Sequence, residues 1–125
     1  MTYSTVSWKA LLVSAVLTLP GLAFAAEPAM TKDGMLVDHK GMTLYTFDKD
    51  AKDTSNCYDD CARKWPPLTA AADAAADGEY TQVARKDGSK QWAYDGKPLY
   101  LWQNDKKPGD VTGDGVGGVW HVAKE

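Results

Sequence analysis

Cationic runs are missing from this chain, and histidine, cysteine and phenylalanine each occur only twice in 125 residues. Each gap closes a class of function. Without a basic stretch nothing neutralises a phosphate backbone, so nucleic acid is excluded as a partner. The two histidines supply no H-E-x-x-H signature, no Ser-His-Asp set is visible, and no nucleophile elbow presents a serine. Haem attachment needs C-x-x-C-H, which is absent. Carboxylates are plentiful but stand in turn-like stretches, so glycoside hydrolysis lacks the buried acid it requires. The expectation is a protein that is not an enzyme and carries no cofactor.

Long apolar runs are also missing, with one exception. After the lone charge of Lys9, "ALLVSAVLTLPGLAFA" runs for 16 residues and ends in Ala23-Phe24-Ala25, small residues at the positions a signal peptidase reads. This three-part pattern is that of a secretory signal and is short for a membrane span. Residues 1–25 are therefore expected to be a signal peptide, cut after Ala25 or Ala26, leaving no stable membrane insertion and a periplasmic or secreted product. No cysteine follows the run to carry a lipid. The remainder, 26–125, suffices for a single domain with a modest core. Its charge is −4, since the chain carries −3 and residues 1–25 hold one Lys and no acid.

What is present is a phrase written twice. "YTFDKD" at 45–50 and "YLWQND" at 100–105 both read Tyr, any residue, aromatic, two residues, Asp. An offset of 55 residues aligns Gly41 with Gly96, Leu44 with Leu99, Tyr45 with Tyr100, Phe47 with Trp102, Asp50 with Asp105 and Trp65 with Trp120. Internal symmetry of this kind indicates duplication, here into two repeats of about 30–68 and 80–123. With two copies only, the expectation is one shared core.

Each copy reads as β-structure. "MLVDHKGMTLYTF" places apolar stretches around the turn-like Asp38-His39-Lys40-Gly41, and "QWAYDGKPLYLW" sets Asp95-Gly96 between aromatic-rich runs, a strong hairpin signal. With "YTQVAR" and "KDGS" upstream, 80–103 is expected to be a three-stranded antiparallel meander, and "GVWHVA" a final strand. Pro98 suggests an edge or a strand's first residue. The predicted fold is thus mainly β, a small antiparallel domain of two related repeats, with one short helix carrying the C-x₃-C pair. "TAAADAAADGEY" between the copies has little apolar bulk and reads as a surface excursion.

In the repeated phrase, a period of two puts Tyr45 with Phe47, and Tyr100 with Trp102, on one strand face. The following acids, Asp50 and Asp105, stand where the strand ends and are placed to accept backbone N–H groups of the next turn. Core rings followed by a turn-fixing acid is one reading of the phrase. Ligand binding by the paired rings is the other.

Cys57 and Cys61 lie in "TSNCYDDCARKWPPL", where Ser55 or Asn56 is expected to cap a short helix and Pro66-Pro67 to stop it. Positions i and i+4 share a helix face, and an exported chain with two cysteines most often joins them. So small a loop stabilises by about 2 kcal/mol on the chain-entropy model. A redox pair is a sharper alternative, though thioredoxin-like chemistry prefers C-x₂-C. Soft-metal ligation of copper or zinc by both cysteines with His39 and His121 is another. Calcium is a third: Asp110 and Asp114 with Gly115 fall at positions 1, 5 and 6 of a calcium loop, but Thr112 and His121 stand where acids belong.

"GMTLYTFDKD", "SNCYDDCARKWPPL", "YDGKPLYLWQND" and "PGDVTGDGVGGVWHV" together resemble a family of bacterial predicted lipoproteins with a repeated Tyr-x-(Phe/Trp/Tyr)-x-x-Asp motif, also described as secreted repeats of unknown function. The likeness covers most of 30–123, and the absence of a lipidation cysteine departs from it. It implies an envelope location and supplies no reaction. The four tryptophans and five tyrosines beyond residue 25 exceed what a plain core of this size needs, and rigid amphipathic rings favour contact surfaces. The functional expectation is a non-catalytic exported domain that binds an envelope protein or a small ligand, or is structural there. A periplasmic metal or redox accessory protein is the alternative.

Overall fold

In the computed structural model, residues 28–71 and 74–125 are described; the signal-peptide expectation for 1–25 lies outside them. The elements run β1 (Met30–Lys32), β2 (Met35–Val37), β3 (Tyr45–Phe47), α1 (Asp60–Lys64), β4 (Thr69–Ala70), β5 (Tyr80–Ala84), β6 (Lys90–Tyr94), β7 (Lys97–Pro98) and β8 (Trp120–Val122), with a 3₁₀ turn at Val116–Gly118. The chain is mainly β, in small antiparallel sheets with one short helix, as its patterning predicts.

Asp-Gly pairs set the tight turns. Asp33 and Gly34 between β1 and β2 take φ of 53° and 80°, and Asp95 and Gly96 between β6 and β7 take 52° and 79°. Two successive left-handed residues make a primed turn, whose twist matches that of the flanking strands, and Asp and Gly tolerate that conformation best. β5, β6 and β7 form the expected meander, with Tyr80 opposite Tyr94 and Ala93 opposite Pro98. Pro98 is the second residue of a strand that pairs with β6 alone, so it does stand on a strand with one open side, and it is buried there.

The connections between copies are reciprocal. β3 of the first copy pairs with β8 at the end of the second: Tyr45 with Val122, Thr46 with His121, Phe47 with Trp120. The matching stretch of the second copy takes the end of the first, where Pro67 bridges Tyr100, Leu101 N donates to Pro66 O (2.7 Å) and Gln103 N donates to Lys64 O (2.9 Å). One layer out, β4 pairs with β6. Its mirror is a bridge from Met35 to Lys124, with Leu36 N donating to Ala123 O at 2.9 Å. Each copy therefore closes the other's sheet. The two meet at Tyr45 and Tyr100, whose backbones exchange a pair of hydrogen bonds of 2.8 and 2.9 Å.

Two apolar clusters fill the interior. One gathers Leu36, Leu44, Trp92, Leu99 and Ala123; the other gathers Tyr45, Cys57, Trp65, Tyr100 and Trp120. Leu36, Leu44 and Leu99 are fully buried, each contributing about 1.5–3 kcal/mol by removal from water.

The helix differs from expectation in two ways. Only Cys61 lies within α1; Cys57 precedes it, and a disulfide joins them. Neither Ser55 nor Asn56 caps it, because the chain enters through Asp59 at φ 57° with no side-chain cap. Ser55 is instead buried among polar partners, and Asn56 N donates to Asp50.

Candidate functional site

Alternation along β3 and its counterpart turns the repeated aromatics inward, and the reciprocal pairing brings both sets to one axis. Trp65 and Trp120, equivalent residues of the two copies, stack with centroids 3.7 Å apart and planes 3° apart. Phe47 stacks on the outer face of Trp120 (4.2 Å, 12°) and Trp102 on the outer face of Trp65 (3.9 Å, 26°). The result is a four-ring column, Phe47–Trp120–Trp65–Trp102. Tyr45 meets Trp65 edge-on at 5.4 Å, and Tyr100 meets Trp120 edge-on at 5.2 Å.

The tyrosine hydroxyls and the motif acids cross between copies. Tyr45 donates to Asp105 Oδ2 at 2.6 Å, and Tyr100 donates to Asp50 Oδ2 at 2.7 Å. The other oxygen of each acid holds the following turn: Asp105 Oδ1 accepts from Thr112 N (2.9 Å) and Thr112 Oγ1 (2.6 Å), and Asp50 Oδ1 accepts from Asn56 N (2.7 Å). Gly113 N donates to the Tyr45 oxygen at 3.2 Å, and Ser55 Oγ lies 2.6 Å from the Tyr100 oxygen. Burial, reinforced by the facing carboxylates, pushes both phenols well above the ordinary tyrosine range. Burial also raises the Asp50 carboxyl, against the opposing pull of its bond from Tyr100. Both phenols stay neutral in physiological conditions, and both pairs are committed to each other.

Arg85 carries a contribution that the motif reading missed. Its guanidinium is buried and donates to Ser55 Oγ (3.0 Å), Gln91 Oε1 (2.7 Å) and the Cys57 carbonyl (2.8 Å). Its carbon centre lies 4.4 Å from the Tyr58 ring centroid. The second copy thereby grips the disulfide loop of the first. The sequence signal was available: two residues beyond inward-facing Val83, strand alternation returns Arg85 to the same face.

The proposed metal residues do not come together. Among the described residues no group of three His, Cys, Asp or Glu side chains converges, so the set of Cys57, Cys61, His39 and His121 is not assembled. Both sulfurs are bonded to each other. His39 is exposed in its turn, and His121 Nε2 lies 2.8 Å from Asp48 Oδ2 across the β3–β8 pair. Asp110 accepts from Lys106 N (2.8 Å) and from Lys107 N and Nζ (3.2 and 3.0 Å), contacts that hold its carboxyl below the usual range. Asp114 Oδ1 accepts from Val122 N at 3.2 Å. These acids fix their own loop.

A cleft of about 700 Å³ opens beside the column. β3, the Asp48 that follows it and β8 form one wall, through Phe47, Asp48 and His121, and the Asp95–Gly96 turn with Lys97 of β7 forms the other. Lys52 lies across Gly96, where a Cβ would come within 2.8 Å of the Lys52 Cγ. Segments so distant in sequence gave no local signal of a shared cavity.

A family model described as "Secreted repeat of unknown function" matches the chain twice, at residues 28–69 and 81–124. Neither the curated proteins nor the solved structures contain a match. Among the described residues no helix is long and apolar enough to cross a membrane. Both matches fall on the two copies that interlock about Tyr45 and Tyr100, and the chain belongs to this secreted repeat family.

Proposed function

We propose that this is an exported, non-catalytic binding protein of the bacterial envelope, periplasmic or released, whose ligand seats in the cleft beside Phe47. The observation that carries this reading is the cleft itself. It joins an apolar floor of Phe47, Leu99 and Val122 to a rim of Lys97, Lys124 and the Asp48–His121 pair, and concave sites of this mixed character are where small ligands bind. The absence of catalysis is supported by the motif groups: Tyr45, Tyr100 and Asp105 are buried, Asp50 is half-buried, and the tyrosines and acids are hydrogen-bonded to one another. The tryptophan excess, which suggested a contact surface, lies mostly inside the protein, so the binding reading rests on the cleft and not on the rings.

Two measurements test it. Expression of the full chain in a bacterial host should yield a periplasmic or extracellular product beginning near Ala26; a full-length product retained in the cell defeats the export reading. Amide shifts of the mature protein, titrated with defined peptidoglycan fragments, short peptides and sugars, should map to Phe47, Lys97 and His121. Lys97→Glu with Lys124→Glu should abolish those shifts without lowering the Tm. Shifts confined to other faces, or unchanged in the double variant, defeat the binding reading.

A further inference from the structure

The aromatic column and its two phenol–carboxylate pairs have a chemical capacity that packing does not require. Indoles lose one electron readily while keeping their proton, and a phenol becomes the easier of the two to oxidise when a positioned base takes its proton as the electron leaves. Three indoles stand in continuous contact, Trp102–Trp65–Trp120, with centroid spacings of 3.9 and 3.7 Å. One end is half-buried Trp102, within reach of surface oxidants, and the other is covered by Phe47, a ring too hard to oxidise to pass a charge outward. The Trp102 Nε1 is buried without a hydrogen-bond partner. A Trp102 radical cation thus has no adjacent base to take its proton, and the positive charge is left to move inward.

Inward lie two traps. Tyr45 and Tyr100 meet the central indoles edge-on, and each phenol already donates to a carboxylate at 2.6 or 2.7 Å, within the reach of a proton acceptor. We propose that the column is a one-electron relay that carries an oxidising equivalent from Trp102 through Trp65 and Trp120 to Tyr45 or Tyr100, each of which passes its proton to Asp105 or Asp50. The balance closes: a surface one-electron oxidant takes one electron, the O–H bond of the phenol breaks, an O–H bond forms on the carboxylate, and a neutral tyrosyl radical remains beside a carboxylic acid. Return of one electron from a reductant, such as a small thiol or an ascorbate-class reductant, sends the proton back and restores the pair. Burial favours the transfer, since the product pair is uncharged where the starting pair held a carboxylate. Tyr58 is a poor competitor, because Arg85 and Lys86 lie over its ring at 4.4 and 4.9 Å and oppose a positive charge there.

The test uses the mature protein and photogenerated ruthenium(III) tris-bipyridine as oxidant, with transient absorption and electron paramagnetic resonance to separate indole from tyrosyl radicals. The wild type should show an indole signal that decays into a tyrosyl signal, more slowly in D₂O than in H₂O. In a folded Asp50→Asn/Asp105→Asn variant, tyrosyl formation should slow by roughly a hundredfold, the scale of removing a positioned base. In Trp102→Phe, the early indole signal should fall. Should the asparagine variant fail to fold, the isotope effect on the wild type and Tyr45→Phe/Tyr100→Phe decide. An absent isotope effect overturns the proposal. So does an undiminished tyrosyl signal in the double phenylalanine variant, which would place the radical on Tyr94 beside Glu79 or on another ring.

Discussion

Tyr45 hydrogen-bonds to Asp105 across 60 positions of sequence, from one copy of the repeat into the other. Tyr100 returns the bond to Asp50. The tyrosine–acid bonds of the repeated phrase are therefore made between copies, not within one, and most consequences of the fold follow from that exchange.

The two bonds should be of similar worth. Tyr45→Phe and Tyr100→Phe each keep the ring and leave a carboxylate, buried Asp105 or half-buried Asp50, short of a donor, which costs about 1–3 kcal/mol. Urea denaturation should place the two variants close together, and Tyr45→Phe with Asp105→Asn should show coupling in a double-mutant cycle. A neutral change at one tyrosine and a severe one at the other would sink the equivalence.

Alkali should unfold the protein abruptly. Both phenols have folded values raised above the ordinary 10.0. For a raised group the stability is fully present below the unfolded value and is lost as pH climbs past it, because the unfolded chain releases the proton first. Stability should hold up to about pH 10 and then fall by about 1.4 kcal/mol per pH unit for each tyrosine. Near-ultraviolet circular dichroism and tyrosinate absorbance should change together, and Tyr45→Phe/Tyr100→Phe should flatten the alkaline limb.

Arg85 should matter more than the disulfide beside it. Arg85→Met strands Ser55, Gln91 and the Cys57 carbonyl and should cost about 3 kcal/mol. Cys57→Ala/Cys61→Ala, which opens a loop of sequence separation 4, should cost about 2 kcal/mol. The ranking is checked by chemical denaturation of both variants, with the wild type in reductant as control.

Gly113 is held by closeness rather than by backbone conformation. A Cβ there would lie 2.9 Å from Trp65 Cη2 and 2.9 Å from the Tyr45 ring. Gly113→Ala should lose about 1–3 kcal/mol through overpacking. Gly109→Ala, in open space at φ +94°, should leave the near-ultraviolet signature of the tryptophans unchanged, whereas Gly113→Ala should alter it.

Neither copy should fold alone. Residues 26–71 and 74–125 produced separately should each lack the dispersed amide spectrum of a packed core, and mixing should restore it, since all three ring contacts of the column, Phe47–Trp120, Trp120–Trp65 and Trp65–Trp102, join one copy to the other. Independent folding of either piece would contradict the exchange of strands.

Local chemistry was legible and distant partnership was not. Asp95-Gly96 announces its hairpin because the turn needs two left-handed residues, and the meander and β8 follow from alternation. The acids of the motif do hold the turns that follow them. Their bonds from the tyrosines of the opposite copy had no sequence signal, because a period of two says which face a ring occupies and nothing about which strand lies across from it. Ser55 illustrates the same limit: a hydroxyl before a helix reads as a cap, yet here Tyr100 and Arg85 claim it. The cysteines announced their bond by number, whereas the cleft, lined by segments that run from Leu36 to Glu125, had no comparable cue.

Interlocked copies on a single chain also change how the protein responds to dilution. Two separate half-units with these complementary edges would assemble only as often as they met, and would fall apart where protein is sparse. The tether spanning 71–79 turns that encounter into one within the molecule, at an effective local concentration on the order of millimolar. For a member of a secreted family, integrity is thereby independent of how thinly the molecule is spread.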